Sequence, residues 1–231
     1  DYLKFDYIIV GAGSAGCALA NRLSADGRTQ VALLEAGSRD LNPWIHIPVG
    51  YFKTMGNSST DWCYNAEADA GLNGRAIPWP RGKVLGGSSS INGLLYVRGQ
   101  PDDFNHWQQL GNKGWGWKDV MPLFKRAEHW EGAEAPERGV NGPLNVSENQ
   151  VDREIVTAWV DSAVAAGYKR TLDYNCEDQE GVGYFQMTMK NGQRCSSAVA
   201  YLKPARHRKN LHIITRAHAE RLLFDGKRCI G

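Results

Sequence analysis

The pattern Gly11-Ala12-Gly13-Ser14-Ala15-Gly16, followed about twenty residues later by Glu35, has the residue types and spacing to grip a dinucleotide. Gly11 permits a tight turn, Gly13 leaves room for main chain to approach a pyrophosphate, and Gly16 lets a helix pack closely on a strand. A helix beginning here offers free N–H groups and a partial positive charge to phosphate. Glu35 can accept hydrogen bonds from a ribose diol. A second dense segment runs from Trp79-Pro80-Arg81-Gly82 through Lys83-Val84-Leu85-Gly86-Gly87 to Ser88-Ser89-Ser90-Ile91-Asn92-Gly93. Its Gly-Gly pair permits positive φ and close backbone approach, and its serines and asparagine are short hydrogen-bonding groups. That composition suits an anionic or polar planar ligand lying on main chain; a serine-rich surface turn would look the same in isolation.

The elements that must hold these residues are legible around them. Tyr7-Ile8-Ile9-Val10 has the length of a buried parallel strand, Cys17–Leu23 carries Leu19 and Leu23 on one helical face, and Val31-Ala32-Leu33-Leu34 is a second strand ending in Glu35. Strand, glycines, helix, strand and acid are therefore in register as one βαβ unit. Ala36–Asn73 is rich in Trp, Tyr, Pro, Gly and Asn and reads as a long functional loop. Trp117–His129 reads as a helix, Glu131–Gly142 as a surface turn, and Pro143–Val146 as a short strand. Ile155–Ala166 reads as an amphipathic helix with Ile155, Trp159, Ser162 and Ala163 on one side and Gly167 as its cap. Gly183–Lys190 alternates like a strand with one wet face. Ser196–Leu202 reads as a short helix stopped by Pro204, Leu211–Thr215 as a strand, and Ala219–Phe224 as another that turns at Asp225-Gly226.

Composition narrows the class. The 231 residues carry a net charge of +2 and no long run of one sign, which gives no electrostatic case for a nucleic-acid or anionic-membrane partner. Glycine and polar residues interrupt every apolar stretch long enough to span a bilayer. The apolar stretch Ile8–Ala20 lacks the basic flank of a signal peptide, since Asp1 and Asp6 precede it, so the chain reads as mature and soluble from its first residue. Five scattered cysteines without a C-x-x-C spacing fit a reducing, cytoplasmic setting and no metal site.

Taken together, the N-terminal unit and the segment Arg81–Gly93 resemble the glucose–methanol–choline (GMC) flavoprotein oxidoreductases. The likeness continues through Tyr96-Val97-Arg98-Gly99, Asp102-Asp103-Phe104 and Trp107. It resumes in Arg194, Ser196-Ser197-Ala198, Ala200-Tyr201-Leu202, Pro204, Asn210-Leu211 and Asp225-Gly226. The resemblance implies an α/β fold: a Rossmann-like FAD-binding domain with a parallel sheet, plus the start of an α+β substrate domain. On this reading residues 1–143 are the first part of the FAD domain, with its flavin loop at 75–99; residues 144–193 begin the substrate domain, and 194–231 return to the FAD domain. It also implies that Gly11, Gly13 and Gly16, with Ser14 and Ala15, hold the FAD pyrophosphate, and that Glu35, next to Ala36, binds the adenosine ribose. Arg81, Gly82, Val84, Gly86 and Gly87 then fold over the flavin, Ser90, Asn92 and Gly93 lie near its isoalloxazine ring, and Leu95 is a further cofactor-binding residue. Ala219 occupies a position that usually contacts adenine, where the family more often has valine. Trp62 matches a family tryptophan near the cofactor, and reads equally as a half-buried core aromatic. Some members attach FAD through a histidine at the position of Ile91, which has no nucleophile, so FAD is expected to be non-covalent.

The resemblance further implies oxidation of a primary alcohol or polyol to the aldehyde by hydride transfer to flavin N5. The alcohol would be a small molecule and the electron acceptor oxygen, a quinone or a cytochrome. The histidine base of that reaction, with its partner histidine or asparagine, lies in a C-terminal segment of the family that would follow Gly231. The chain stops as a hairpin partner begins, which reads as a fragment whose missing C-terminal half belongs to the intact protein. None of the six histidines here (His46, His106, His129, His207, His212, His218) comes with a partner that marks a base, so the catalytic residue stays unassigned. The same resemblance covers hydroxynitrile lyases and light-driven fatty-acid decarboxylases, and it leaves open a flavin-binding module that needs a complementing segment.

Overall fold

The computed structural model describes residues 4–149, 151, 153–176 and 178–231. It divides into two compact units, one of residues up to Gly93 with Asn191–Gly231, the other Leu94–Lys190. The stretch following Gly93 therefore packs with residues 144–190. Main-chain bonds tie it there, from Tyr96 N to Gln186 O (2.9 Å) and from Thr188 N to Leu94 O (2.9 Å).

In the first unit, β1 (Tyr7–Val10), α1 (Ser14–Leu23) and β2 (Val31–Glu35) form the βαβ unit, and β3 (Leu211–Thr215) completes a three-stranded parallel sheet in the order β1-β2-β3. Tyr7 pairs with Val31 and Val31 with Leu211, so the central strand is β2, and its Val31, Ala32 and Leu33 are buried. A strand paired on both sides and covered by a helix needs an unbroken apolar run, which Val-Ala-Leu-Leu supplies. The buried face of α1 is small (Gly16, Cys17, Ala20), which lets the helix sit close to the sheet and to the turn Ala198–Leu202. Polar ties finish the packing: Asn21 Nδ2 donates to Tyr201 O (2.7 Å), and Asn210 Nδ2 donates to Ser24 O (3.0 Å) and Thr29 O (2.8 Å).

The region read as a loop, Ala36–Asn73, contains single helical turns at Pro43–His46, Pro48–Gly50 and Tyr51–Thr54. Pro43 presets the first turn, the Asn42 side chain accepts from Trp44 N (3.1 Å), and Pro48 prevents the turns from merging. A second small core, Ile45, Val84 and Ile91 with Met55, anchors this region to the segment after Arg81. Pro204 does not stop the helix before it. The chain passes through a π-helical turn, Ala198–Leu202, into the turn Lys203–Ala205, where proline occupies the start of a new helical segment that needs no N–H donor. Of the strand expected at Ala219–Phe224, Phe224 alone enters a ladder, the pairing of Phe224-Asp225 with Arg228-Cys229.

The second unit contains α2 (Pro101–Gln109), α3 (Trp117–Ala127) and α4 (Glu154–Ala165). Helix α3 ends two residues before His129: Glu128–Trp130 is extended and pairs in parallel with Leu144–Val146. The buried Glu128 carboxylate explains the change, because it accepts from Arg98 Nη2 (2.6 Å) and Gly139 N (2.8 Å) and lies 3.3 Å from Arg138 Nη1. Gly183–Lys190 is not a regular strand. Gln186 is drawn inward to accept from Arg138 Nη2 (2.9 Å) and Asn175 Nδ2 (2.7 Å), and this interior polar network overrides the two-residue alternation. In α4 the face with Ile155 and Trp159 is exposed; the helix packs through Val160, and the Thr157 and Tyr184 hydroxyls pair at 2.7 Å.

Candidate cofactor site

At the C-terminal ends of β1 and β2 lies a cavity of about 440 Å³. That is the place where parallel α/β sheets bind ligands, and the volume is within the range of small-molecule sites. Its floor is the glycine turn. Gly16 sits so close to the strand end that a Cβ there would lie 1.9 Å from Gly11 O, which is why the helix can begin directly above the turn. Gly13 lines the cavity, and a Cβ on it would project into open space with nothing within 4 Å. Helix α1 starts at Ser14 without a side-chain cap and without an acid in its first turn. Its first N–H groups and the positive end of its dipole therefore face outward beside the cavity.

Glu35, 5 % exposed, closes one wall. Its carboxylate accepts from Ala12 N and Gly37 N, each at 2.8 Å, which fixes the carboxylate plane and leaves further lone pairs on both oxygens. Buried under the same turn, the Cys17 thiol donates to Ala12 O (3.1 Å); burial, with the negative charges of Glu35 and Asp40, pushes its pKa up to about 12. It is a packed side chain and not a nucleophile.

The second glycine segment forms the opposite wall through Arg81, Gly82, Gly87 and Ser88. Gly87 has φ +55°, and a Cβ on it would lie 2.7 Å from Gly13 Cα, so the two glycine loops meet as bare main chain. Gly86 N donates to Ala12 O (2.8 Å) and locks that meeting. Asp61 supports the wall from behind, accepting from Gly56 N (2.8 Å), Arg81 N (2.8 Å) and Cys63 N (3.0 Å). Burial works to raise its pKa, but the amides of Gly56, Cys63, Arg81 and Trp62 outweigh it and hold the carboxyl below its ordinary value.

Trp62 lines the cavity, half-buried, with Tyr64 stacked parallel at 5.7 Å, His218 edge-on at 5.5 Å and Lys83 Nζ 4.6 Å from its ring centre. Ala36 and Ala219 are also on the lining. Sequence reasoning missed Tyr64, Ser88, Ala217 and His218. Ser88 lies within the second glycine segment. Tyr64 reaches the cavity through its own short antiparallel pairing with Trp79 and its stacking on Trp62, and Ala217 and His218 reach it through the pairing of β2 with β3. Other candidate residues lie off the lining. Ser14 and Ala15 are exposed on the first turn of α1, and Val84 is in the core. The buried Ser90 hydroxyl donates to Leu85 O (2.7 Å). Asn92 is held by Arg194 together with Ser89 and Ile45. Leu95 belongs to the second unit and is half exposed.

No base emerges. His46 Nε2 contacts Asp40 O (2.8 Å), His129 Nδ1 contacts Val140 O, and His212 packs edge-on against Phe5. None of these contacts joins a histidine to a second histidine or an asparagine. Among the described residues no cluster of three or more His, Cys, Asp and Glu side chains could hold a metal, and no helix is long and apolar enough to cross a membrane.

The sequence profile described as GMC oxidoreductase matches residues 5–231. An oxygen-dependent choline dehydrogenase of Sinorhizobium fredii (strain NBRC 101917 / NGR234) is 46% identical over 229 residues, 99% of this chain and 42% of that protein. An alcohol dehydrogenase [acceptor] of Pseudomonas putida is 46% identical over 228 residues, 98% of this chain and 41% of that protein. The crystal structure of pyridoxine 4-oxidase from Mesorbium loti superposes with a TM-score of 0.93 at 35% identity, covering 98% of this chain and 45% of that one. The chain thus spans less than half the length of these relatives. With a profile match across nearly every residue and a glycine-walled cavity at the end of its βαβ unit, the chain belongs to the GMC oxidoreductase family, a family of FAD-dependent flavoproteins.

Proposed function

We propose that this chain is the FAD-binding portion of a GMC-type alcohol dehydrogenase or oxidase and that the cavity holds the ADP half of FAD without a covalent bond. The observation that carries the reading is the open cradle above Gly13, faced by an uncapped helix N-terminus and walled by Glu35. These groups fit the ligand: main-chain donors for pyrophosphate and a carboxylate for a ribose diol. Gly11, Gly13 and Gly16, with the amides of Ser14 and Ala15, are assigned to the pyrophosphate, Glu35 and Ala36 to the ribose, and Trp62 and Ala219 to the adenosine end. Arg81, Gly82, Val84, Gly86 and Gly87 form or support the covering loop, and Ser90, Asn92 and Gly93 lead toward the isoalloxazine end. Ile91 supports the non-covalent reading, since its side chain has no nucleophile and is buried in the core with Ile45 and Val84.

When bound, FAD supplies a hydride acceptor at N5. The chain's own residues bind and orient it; the proton of the alcohol is taken by a base outside these residues. The names of the relatives support an alcohol as substrate of the intact protein, and a primary alcohol or polyol is the class proposed. Residues 144–193, of which 144–190 lie in the second unit, are assigned to the start of its substrate domain. Five free cysteines accord with a cytoplasmic setting. Anaerobic addition of candidate alcohols in the dark, followed by flavin absorbance, tests the reading: bleaching of the oxidised flavin band by an alcohol supports it. A flavoprotein reduced by no alcohol in the dark contradicts it.

A further inference from the structure

Three arginines are almost fully buried: Arg98, Arg138 and Arg194. The first two share the Glu128 carboxylate. Arg194, 2 % exposed, has only carbonyl-type partners: Ile45 O at 2.8 Å from Nε, Asn92 Oδ1 at 2.7 Å and Ser89 O at 3.1 Å from Nη1, and Asn92 O at 2.7 Å from Nη2. Among the described residues no carboxylate lies within ion-pair distance of it. Burial lowers its pKa to about 10, so it stays charged at neutral pH. A buried guanidinium satisfied by dipoles but not by a counter-charge is costly, and its field is weakly screened.

The geometry also fixes a side chain. Both the carbonyl and the amide oxygen of Asn92 are held by Arg194, so the amide NH2 is the end that faces elsewhere. Ser197 N donates to Ser89 Oγ (2.9 Å), and Ser89 Oγ donates to Gly86 O (2.6 Å). Residues 194–197 thus clamp the whole run Gly86–Asn92 from more than a hundred positions away in sequence.

We infer that Arg194 is a positioning residue that sets the orientation of Asn92 and gives the segment Ser89–Asn92 an uncompensated positive charge that favours the reduced state of a bound flavin. This rests on the reading that Asn92 lies at the isoalloxazine end. Hydride transfer to a neutral flavin delivers two electrons and one proton, taken from the alcohol carbon, and adds one negative charge to the ring. A fixed cation nearby stabilises that charge, and a flavin enzyme tunes its cofactor through such charges.

The test uses the intact flavin-loaded protein and its Arg194→Met and Arg194→Lys variants, measuring the two-electron midpoint potential by anaerobic titration. Arg194→Met removes the charge and is expected to lower the reduced-to-oxidised ratio at a fixed potential at least tenfold, a shift of about 30 mV for a two-electron couple. Arg194→Lys keeps the charge and is expected to retain the wild-type potential. If Met does not accumulate as holoprotein, Arg194→Gln, neutral and still hydrogen-bonding, replaces it. Wild-type potentials in the neutral variants overturn the inference, and an equal fall in Lys and Met overturns its charge part, assigning the effect to the orientation of Asn92 alone. A wild-type protein without flavin sinks the proposed function instead.

Discussion

Gly87→Ala tests the claim that two glycine loops must touch as bare main chain. Two penalties add at this position. Alanine at φ +55° enters the left-handed region, which costs about 1–2 kcal/mol for a residue with a Cβ. The new Cβ would also sit 2.7 Å from Gly13 Cα, a backbone atom that cannot rotate away, and overpacking of this kind costs about 1–3 kcal/mol. Gly27 separates the two penalties, because it has φ +72° but nothing within 4 Å of where a methyl group would lie. Gly27→Ala should therefore lose only the first increment, about 1–2 kcal/mol, and leave flavin affinity intact. Gly87→Ala should lose about 2–5 kcal/mol in all, with the excess appearing as weaker FAD retention because the loop must withdraw from Gly13. Each 1.4 kcal/mol of that excess, if it falls on binding, is about tenfold in the FAD dissociation constant. Denaturant unfolding and fluorescence titration of apoprotein with FAD read the two quantities. Equal stability loss and unchanged FAD affinity in both variants would refute the reasoning.

Three further outcomes follow from the packing. Asp61 has a folded pKa below its unfolded value, so its contribution is present above the ordinary carboxylate range of about 3.9 and is lost as pH falls through the lower folded value. Asp61→Asn should flatten that acid limb of a stability–pH curve, and an unchanged limb would rule Asp61 out as its source. Glu128→Gln leaves Arg98 and Arg138 buried against a neutral group and should cost about 3–5 kcal/mol in equilibrium unfolding; a loss below about 1 kcal/mol would contradict the buried network. In thiol titration at neutral pH, exposed Cys63 and Cys229 should react promptly while Cys17 reacts only on unfolding, and early labelling of Cys17 by mass spectrometry would count against its buried, raised pKa.

What was legible in the sequence was mostly local. The βαβ unit could be read because strand, glycines, helix and Glu35 are contiguous, and each carries its own periodicity or conformational signal. The α/β class followed from it. The illegible parts depend on residues distant in the chain. Gln186 turns inward for Arg138 and Asn175, so the alternation of Gly183–Lys190 pointed to a continuous strand of which Met189-Lys190 forms. Glu128 leaves the helix that its neighbours favour because two arginines share its carboxylate. The apolar pattern of Ile155 and Trp159 marked a face that these residues leave exposed, while Val160 alone is deeply buried in that helix. At the site, His218 meets Trp62 only because β3 pairs beside β2, and Arg194 reaches Asn92 across 102 positions. No window of sequence contains either pair.

Whether this glycine-walled cavity grips FAD without a covalent link is tested most directly by the absorption spectrum of the purified intact protein, followed by acid precipitation and separation of supernatant from pellet. Flavin bands near about 370 and 450 nm are expected in the native protein, with all of the flavin recovered as FAD in the supernatant. A colourless protein that FAD does not reconstitute, or flavin that stays with the pellet, would contradict that grip.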